Sequence, residues 1–186
     1  VNLMTDEMVE VFSPVLNALS VIALRSGTLL ATAGSTVEVP NFQHLLKCGE
    51  SLSNVQLFPI HFLTPTTFKQ DKRYVIFPQE SLILHSLITR WNVSFPEATM
   101  DDEDAFQALL RGIHIVDYNL HTTRYPMKQV RLPAFQGRIS IETRLPAPMM
   151  ALWTALYSFA PYAGIGVKTT LGMGGVSMMK ASNLPV

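Results

Sequence analysis

The hydrophobic pattern of the chain is most regular from Asn54 to Lys180. "NVQLFPIHFL" alternates apolar and polar positions as a strand does, and "QESLILHSLITRW" has the spacing of a helix that buries one face. The later segments read as two strands, a helix and a closing strand: "IHIVDYNLHTTR", "QVRLPAFQGRISIETRL", "PAPMMALWTALYSFAPY" and "GGVSMMK". With one extra helix after the first, this is the βαββαβ order of an α+β, ferredoxin-like (RRM-like) domain.

Proline and acidic residues predict several boundaries inside this region. We expect Asp101 to cap the extra helix, which ends at Gly112. Pro65 is expected to end the first strand and Pro133 to interrupt the third, because proline cannot donate a hydrogen bond to a neighbouring strand.

The first fifty residues look like the second half of a separate sheet domain. Ser13 and Pro14 predict the start of a helix whose apolar spacing continues to Gly27. "TLLATAG" and "TVEVP" are typical of a strand pair, and Asn41 predicts the cap of a short helix that ends at Gly49.

Composition narrows the class of protein. The 186 residues are 48% hydrophobic, no apolar run is long enough for a membrane-spanning helix, and Cys48 is the single cysteine. We therefore expect a globular, cytoplasmic protein with no disulfide, no metal site, no cofactor and no membrane association. The chain opens on Val1 without a leader, and we interpret it as a processed or truncated piece.

The charges are unevenly distributed although the formal net charge is zero. Residues 1–110 hold six basic and twelve acidic residues, whereas residues 111–186 hold eight basic and two acidic ones. An anionic partner would select such a basic half, and an ordinary solvated surface accounts for the counts equally well.

A glycine-rich loop separates the last helix from the last strand. "GIGVKTTLGMGG" holds five of the ten glycines of the chain, and its spacing fits neither the NTPase phosphate loop nor the dinucleotide fingerprint. Glycine permits positive φ and a close approach of another backbone. We expect main-chain N–H groups of this loop to be free to face a phosphodiester, with Lys168, Thr169 and Thr170 at the tip.

The loop resembles that of the RAMP superfamily of CRISPR-associated RNA-binding proteins, which has two glycine-hydrophobic-glycine pairs separated by five residues. Together with "FLTPTTF", "SLITRWN" and "FQGRISIETRL", the chain is similar to the C-terminal domain of the CRISPR repeat-processing endoribonuclease. The similarity is weak before Gln56 and strong after it.

This resemblance implies two ferredoxin-like domains in tandem, of which residues 1–50 are the second half of the first and residues 51–186 are the complete second. It implies cleavage of precursor CRISPR RNA within its repeats, by metal-independent attack of a ribose 2′-OH that leaves a 2′,3′-cyclic phosphate. The family's general-base histidine usually lies in the opening part of the first domain, which we expect to be missing, so the catalytic residues stay unknown. The implied partners are CRISPR repeat RNA and subunits of an effector complex, and a homodimer is left open.

The expected RNA-binding residues are the loop and three cations: Gly164, Gly166, Lys168, Thr169, Thr170, Gly172, Gly174, Lys69, Arg73 and Arg138. The basic residues along the strand hairpin form a track if they share the open face of the sheet, and none if alternation separates them; they are Arg124, Lys128, Arg131, Arg138 and Arg144.

Other polar candidates have ordinary structural interpretations. Arg90 is expected to bind the last carbonyls of its own helix slightly more readily than RNA. The histidines are interpreted as packed or surface residues, and His44 alone comes early enough to approach an active site in the first domain.

Two other functions remain open at this point. One is a non-catalytic RAMP-type subunit that holds guide RNA in an effector complex. The other is a ferredoxin-like interaction module that binds no RNA, which would require the basic residues after position 110 to be scattered over the surface.

Overall fold

The computed structural model describes residues 6–24, 27–30, 41–127 and 130–178. Its helices are α1 (Asp6–Asn17), α2 (Phe42–Glu50), α3 (Glu80–Ser94), α4 (Glu103–Gly112) and α5 (Ala147–Ala163). Its strands are β1 (Val21–Leu24), β2 (Gly27–Leu30), β3 (Leu57–Thr66), β4 (Phe68–Gln70), β5 (Arg73–Val75), β6 (Ile113–Met127), β7 (Val130–Thr143) and β8 (Val176–Met178). Contacts divide the chain into two compact units, Val1–Pro40 and Asn41–Val186.

A four-stranded antiparallel sheet forms the centre of the second unit. Its strand order is β6-β7-β3-β8, so the first and third strands of the βαββαβ order lie in the middle. The predicted α+β, ferredoxin-like arrangement is therefore confirmed for this unit. Of the helices in the described residues, none is long and apolar enough to cross a membrane.

One face of the sheet is buried under α3 and α5. Alternation along β3 directs Phe58, Ile60 and Phe62 to this side, and all three are about 1% exposed. Phe58 meets Trp153 of α5 edge to face, with ring centroids 5.7 Å apart. Trp91 of α3 meets Phe159 of α5 in the same way at 5.5 Å, which closes the core between the two helices.

Helix α2 packs on α5 and belongs to the same unit as the sheet. Asn41 caps α2 by accepting a hydrogen bond from the N–H of His44, as predicted. A Cβ on Gly49 would lie 2.6 Å from Oγ1 of Thr154, so glycine permits the close approach of the two helices. The contacts thus divide the chain after Pro40, ahead of the boundary at residue 50 that the sequence predicts.

The predicted start of the first helix was wrong. Ser13 and Pro14 lie inside α1, which begins at Asp6 and ends at Asn17. The β-branched residues Val21 and Ile22, expected in that helix, instead form β1, which pairs antiparallel with β2. The second strand of the predicted pair, "TVEVP", lies outside the described residues.

Three boundaries in the second unit also differ from the prediction. Asp102, not Asp101, caps α4, because its carboxylate accepts from the N–H groups of Asp104 and Ala105. Pro65 does not end β3, which continues to Thr66 after a register shift.

Pro133 does not interrupt β7 either. It lies opposite Arg124 in a continuous pairing with β6. The pairing of β7 with β3 ends at Phe135, so Pro133 lies where only one side of β7 has a partner strand, and proline is tolerated at such an edge.

Candidate nucleic-acid interface

The glycine loop, residues 164–175, leaves the end of α5 with several residues at positive φ. Gly164, Gly166, Gly172 and Gly174 have φ of 73°, 96°, 84° and 69°. These values are in the region that favours glycine, so the expected backbone role of the glycines is confirmed. Lys168 also has positive φ, 60°, which is uncommon for a residue with a side chain.

The first arm of the loop is held by α3 and by the end of β3. The N–H of Gly166 donates to Oγ of Ser86 at 2.8 Å, and the carbonyl of Gly166 accepts from Nη2 of Arg90. The N–H of Val167 donates to the carbonyl of Thr67 at 3.0 Å. Arg90 therefore binds the glycine loop. The expectation that it binds the last carbonyls of its own helix was wrong.

The second arm is held by the same end of β3 and by the β6–β7 hairpin. The N–H of Gly174 donates to the carbonyl of Pro65 at 3.1 Å, and the N–H of Gly175 donates to Oγ1 of Thr64 at 2.8 Å. Met173, 1% exposed, packs against Leu132 and Ala134.

The tip lies between the two anchored arms. The hydroxyl of Tyr125 on β6 donates to the carbonyl of Leu171, and the carbonyl of Lys168 accepts from the N–H of Leu171 at 2.9 Å. A tight turn over Thr169–Leu171 results.

The expectation that the loop as a whole offers free amides was wrong. The N–H groups of nine loop residues are bonded within the protein: Gly164, Ile165, Gly166, Val167, Leu171, Gly172, Met173, Gly174 and Gly175. The N–H groups of Lys168, Thr169 and Thr170 have no hydrogen-bond partner in the part of the chain that the structure describes. Three consecutive free donors thus lie beside the lysine that the sequence predicts to bind phosphate.

Lys69 and Arg73 lie on the β4–β5 hairpin, which starts directly after the residue that binds the first arm. Phe68 is buried and stacks on Phe135 with ring centroids 6.1 Å apart, which fixes the base of the hairpin on the sheet. Lys69 and Arg73 are exposed. Two exposed cations therefore lie on the hairpin that directly follows Thr67, the residue that accepts from Val167 of the glycine loop.

Arg138 lies in the middle of the sheet face that α3 and α5 leave uncovered. Register places His61 of β3 on one side of it and Asn119 of β6 on the other, with Ser177 of β8 beyond His61. These four polar residues form one row across all four strands. The sequence patterns did not reveal the place of His61 in this row, because the row depends on strand order and register.

The basic residues of the long hairpin do not form one track. Alternation places Arg124 and Arg131 on the sheet face opposite to Arg138. Arg144 follows the end of β7 and pairs with Glu142 at 3.5 Å, and Lys128 lies outside the described residues.

The candidate cations have no acidic side chain within salt-bridge distance in the part of the chain that the structure describes. Among the described residues, the pair Arg144–Glu142 is the single salt bridge, so Lys69, Arg73, Arg138 and Lys168 have no acidic partner there. Within the same ranges, no group of His, Cys, Asp or Glu side chains could hold a metal ion. The groups of this surface that are available to a ligand are therefore cationic side chains and backbone N–H donors, both of which bind phosphate.

The chain is similar to known proteins over most of its length. Residues 60–176 match the family model of the CRISPR-associated endoribonuclease Cas6. The Cas6 endoribonuclease of Streptococcus thermophilus is 30% identical over 178 residues, which cover 96% of this chain and 73% of that protein. The Cas6 endoribonuclease of Mycobacterium tuberculosis (strain H37Rv) is 27% identical over 123 residues, which cover 64% of this chain and 38% of that protein.

Solved structures have the same fold. A Cas6 product complex superposes with a TM-score of 0.78 at 22% identity, covering 96% of this chain and 75% of that chain. The Cas6 of Thermus thermophilus superposes with a TM-score of 0.70 at 24% identity, covering 94% of this chain and 71% of that chain.

Proposed function

The chain belongs to the CRISPR-associated endoribonuclease Cas6 family, and from this we propose that it binds CRISPR repeat RNA in the cytoplasm and forms part of the enzyme that cuts the precursor RNA within its repeats. The match spans 73% of the Streptococcus relative and 38% of the Mycobacterium relative. RNA cleavage is therefore proposed for the complete enzyme, and RNA binding is proposed for the residues described in this chain. The proposed contacts are with the phosphate groups of the RNA backbone.

One observation carries the proposal for the site. The free N–H groups of Lys168, Thr169 and Thr170 lie at the tip of a loop whose two arms are anchored to the protein. Consecutive free donors beside a cation bind a phosphate oxygen without further ordering of the backbone. Lys69, Arg73 and Arg138 supply further positive charge without an acidic partner among the described residues.

The proposed reaction is attack of a ribose 2′-OH on the adjacent phosphorus. The new 2′-O–P bond forms as the 5′-O–P bond breaks, which leaves a 2′,3′-cyclic phosphate and a 5′-hydroxyl. A base must take the 2′-OH proton, an acid must give a proton to the leaving 5′-oxygen, and positive charge must stabilise the phosphorane. We assign the described residues to holding the RNA backbone and leave the base and the acid unassigned.

Replacement of Lys168, Thr169 and Thr170 together by alanine tests the site. We expect the affinity for repeat RNA to fall about tenfold and the slope of log affinity against log salt to become shallower by about 0.7 to 0.9, because the charge of Lys168 is lost while the backbone N–H groups stay. Filter binding over a range of salt concentrations measures both. Arg111→Ala at the exposed end of α4 removes one charge elsewhere and serves as the control, and an unchanged affinity of the triple variant contradicts the proposal.

Incubation of labelled repeat RNA in EDTA with the whole protein, including the part of the relatives' length that this chain does not span, tests the enzyme assignment. The expected result is a shorter RNA that ends in a 2′,3′-cyclic phosphate. A shifted band without cleavage instead supports the non-catalytic RNA-holding subunit, and no shift at all supports an interaction module that binds no RNA.

A further inference from the structure

Ser86 and Arg90 lie one helical turn apart on α3 and bind the same residue of the glycine loop. Oγ of Ser86 accepts from the N–H of Gly166, and Nη2 of Arg90 donates to the carbonyl of Gly166. Residues four apart on a helix lie on the same face, so the two side chains hold both polar groups of one glycine.

The environment of the Arg90 side chain is unfavourable for a charged group, because part of the guanidinium is buried and only one carbonyl accepts from it. Its Nε atom is buried and has no hydrogen-bond partner among the described residues. Burial lowers the pKa of the Arg90 guanidinium from its ordinary value. Burying this charge costs free energy, and an apolar side chain of similar size would fill the same space without that cost. We therefore expect the function of the Arg90 charge to lie in its bond to the loop.

Gly166 precedes the proposed phosphate-binding tip by two residues. A Cβ on Gly166 would lie 2.6 Å from the carbonyl oxygen of Thr67, and its φ is 96°. The backbone here can adopt many conformations in isolation, because glycine has no preferred sign of φ. The contacts from α3 select one of these conformations and so set the direction in which Lys168 leaves the arm.

We propose that Arg90 and Ser86 are positioning residues that hold the first arm of the glycine loop so that the tip is ordered before RNA arrives. This inference rests on the proposed role of the tip in phosphate binding. A loop that is already ordered loses less conformational entropy on binding, and its donors need no rearrangement. Arg90 acts through Gly166 and does not contact the RNA.

Amide hydrogen exchange of the free protein tests the positioning itself. In Arg90→Ala and Ser86→Ala we expect faster exchange of the hydrogen-bonded loop amides of Gly166, Val167 and Leu171, with unchanged exchange in α5 and in the central strands. Thr89→Ala, at an exposed neighbouring position of α3, is the matched control and is expected to leave the loop unchanged. Unchanged exchange of the loop in Arg90→Ala overturns the inference whether or not the protein binds RNA.

A double-mutant cycle tests the consequence for RNA. With a repeat RNA made non-cleavable by 2′-deoxy substitution, we expect Arg90→Ala to weaken binding about tenfold in the wild-type background. In the background where Lys168, Thr169 and Thr170 are alanine, we expect Arg90→Ala to have a smaller effect, because only the backbone N–H groups of the tip remain to be positioned. An equal loss in both backgrounds overturns the inference and indicates a separate role for Arg90.

The two proposals fail in different ways. Loss of binding in the triple alanine variant with full binding in Arg90→Ala overturns the positioning role and leaves the proposed function standing. Full binding by the triple alanine variant overturns the role of the tip side chains in phosphate binding, and the exchange measurement then still decides whether Arg90 holds the loop.

Discussion

Gly172 and Gly174 lie two residues apart in the loop, and their surroundings differ. A Cβ on Gly174 would lie 2.1 Å from the carbonyl oxygen of Ile165, whereas a Cβ on Gly172 would meet nothing within 4 Å. We expect Gly174→Ala to lower the free energy of unfolding by about 3 kcal/mol or more, and Gly172→Ala by only about 1 kcal/mol from its positive φ. Urea unfolding of both variants measures the difference, and equal losses contradict this account.

At this scale the sequence predicts backbone conformation better than hydrogen bonding. The glycine spacing correctly indicated positive φ, because few other residues tolerate it. The bonded state of most loop amides could not be read from the sequence. Their acceptors include Ser86, Pro65 and Thr67, which are far away along the chain, so their contacts with the loop depend on the tertiary fold.

Helix α5 is bound to β3 through a buried tyrosine. The hydroxyl of Tyr157 donates to the carbonyl of Pro59 at 2.7 Å, and burial raises the pKa of Tyr157 from its ordinary value of 10.0. Above that value the unfolded chain loses the tyrosine proton while the folded chain keeps it, so the unfolded state binds fewer protons and stability falls as pH rises.

The Tyr157→Phe variant isolates this effect. We expect the free energy of unfolding of the wild type to exceed that of Tyr157→Phe by about 1 kcal/mol at pH 8, from the hydrogen bond. Above pH 10 this advantage should shrink by up to about 1.4 kcal/mol per pH unit. Urea unfolding of both proteins at pH 8 and pH 11 measures the advantage, and a constant difference contradicts the prediction.

A cap residue followed by apolar spacing predicted one helix correctly and another wrongly. The helix at Phe42–Glu50 has a capping Asn41 as well as apolar spacing, and it forms as expected. The predicted helix from Ser13 to Gly27 rested on the same kinds of signal, Ser13 as the cap, Pro14 at the first position and apolar spacing after them. Val21 and Ile22 fit that spacing, yet they also favour a strand, and the pairing of β1 with β2 decides between the two.

The folded sheet distributes the basic residues of the C-terminal half between its two faces, which residue counts could not reveal. The C-terminal half is basic, as counted, but the two faces of one sheet receive different members: Arg138 lies on the uncovered face, and Arg124 and Arg131 lie on the other. Alternation along a strand depends on register, and the register of β6 shifts between Ile115 and Asp117. The sequence could therefore predict a polyanion as the partner without predicting one continuous track for it.

The division of the chain into units can be tested with two fragments. Residues 41–186 include α2, whose Leu45 is 1% exposed and whose Gly49 lies against α5, whereas residues 51–186 lack this helix. We expect the fragment 41–186 to unfold cooperatively, and the fragment 51–186 to be less stable by at least about 2 kcal/mol, because the surface of α5 under α2 becomes exposed to water.

Leu45→Ala within the fragment 41–186 separates packing from chain length. Because a buried leucine is truncated while α2 stays present, we expect a loss of about 2 to 4 kcal/mol in the free energy of unfolding. Leu52→Ala, at a half-buried position just after α2, is the milder control. Urea unfolding of the four proteins measures these differences. If 51–186 is as stable as 41–186, α2 adds nothing to the free energy of unfolding of the second unit. The domain boundary then lies after residue 50, as the sequence predicts.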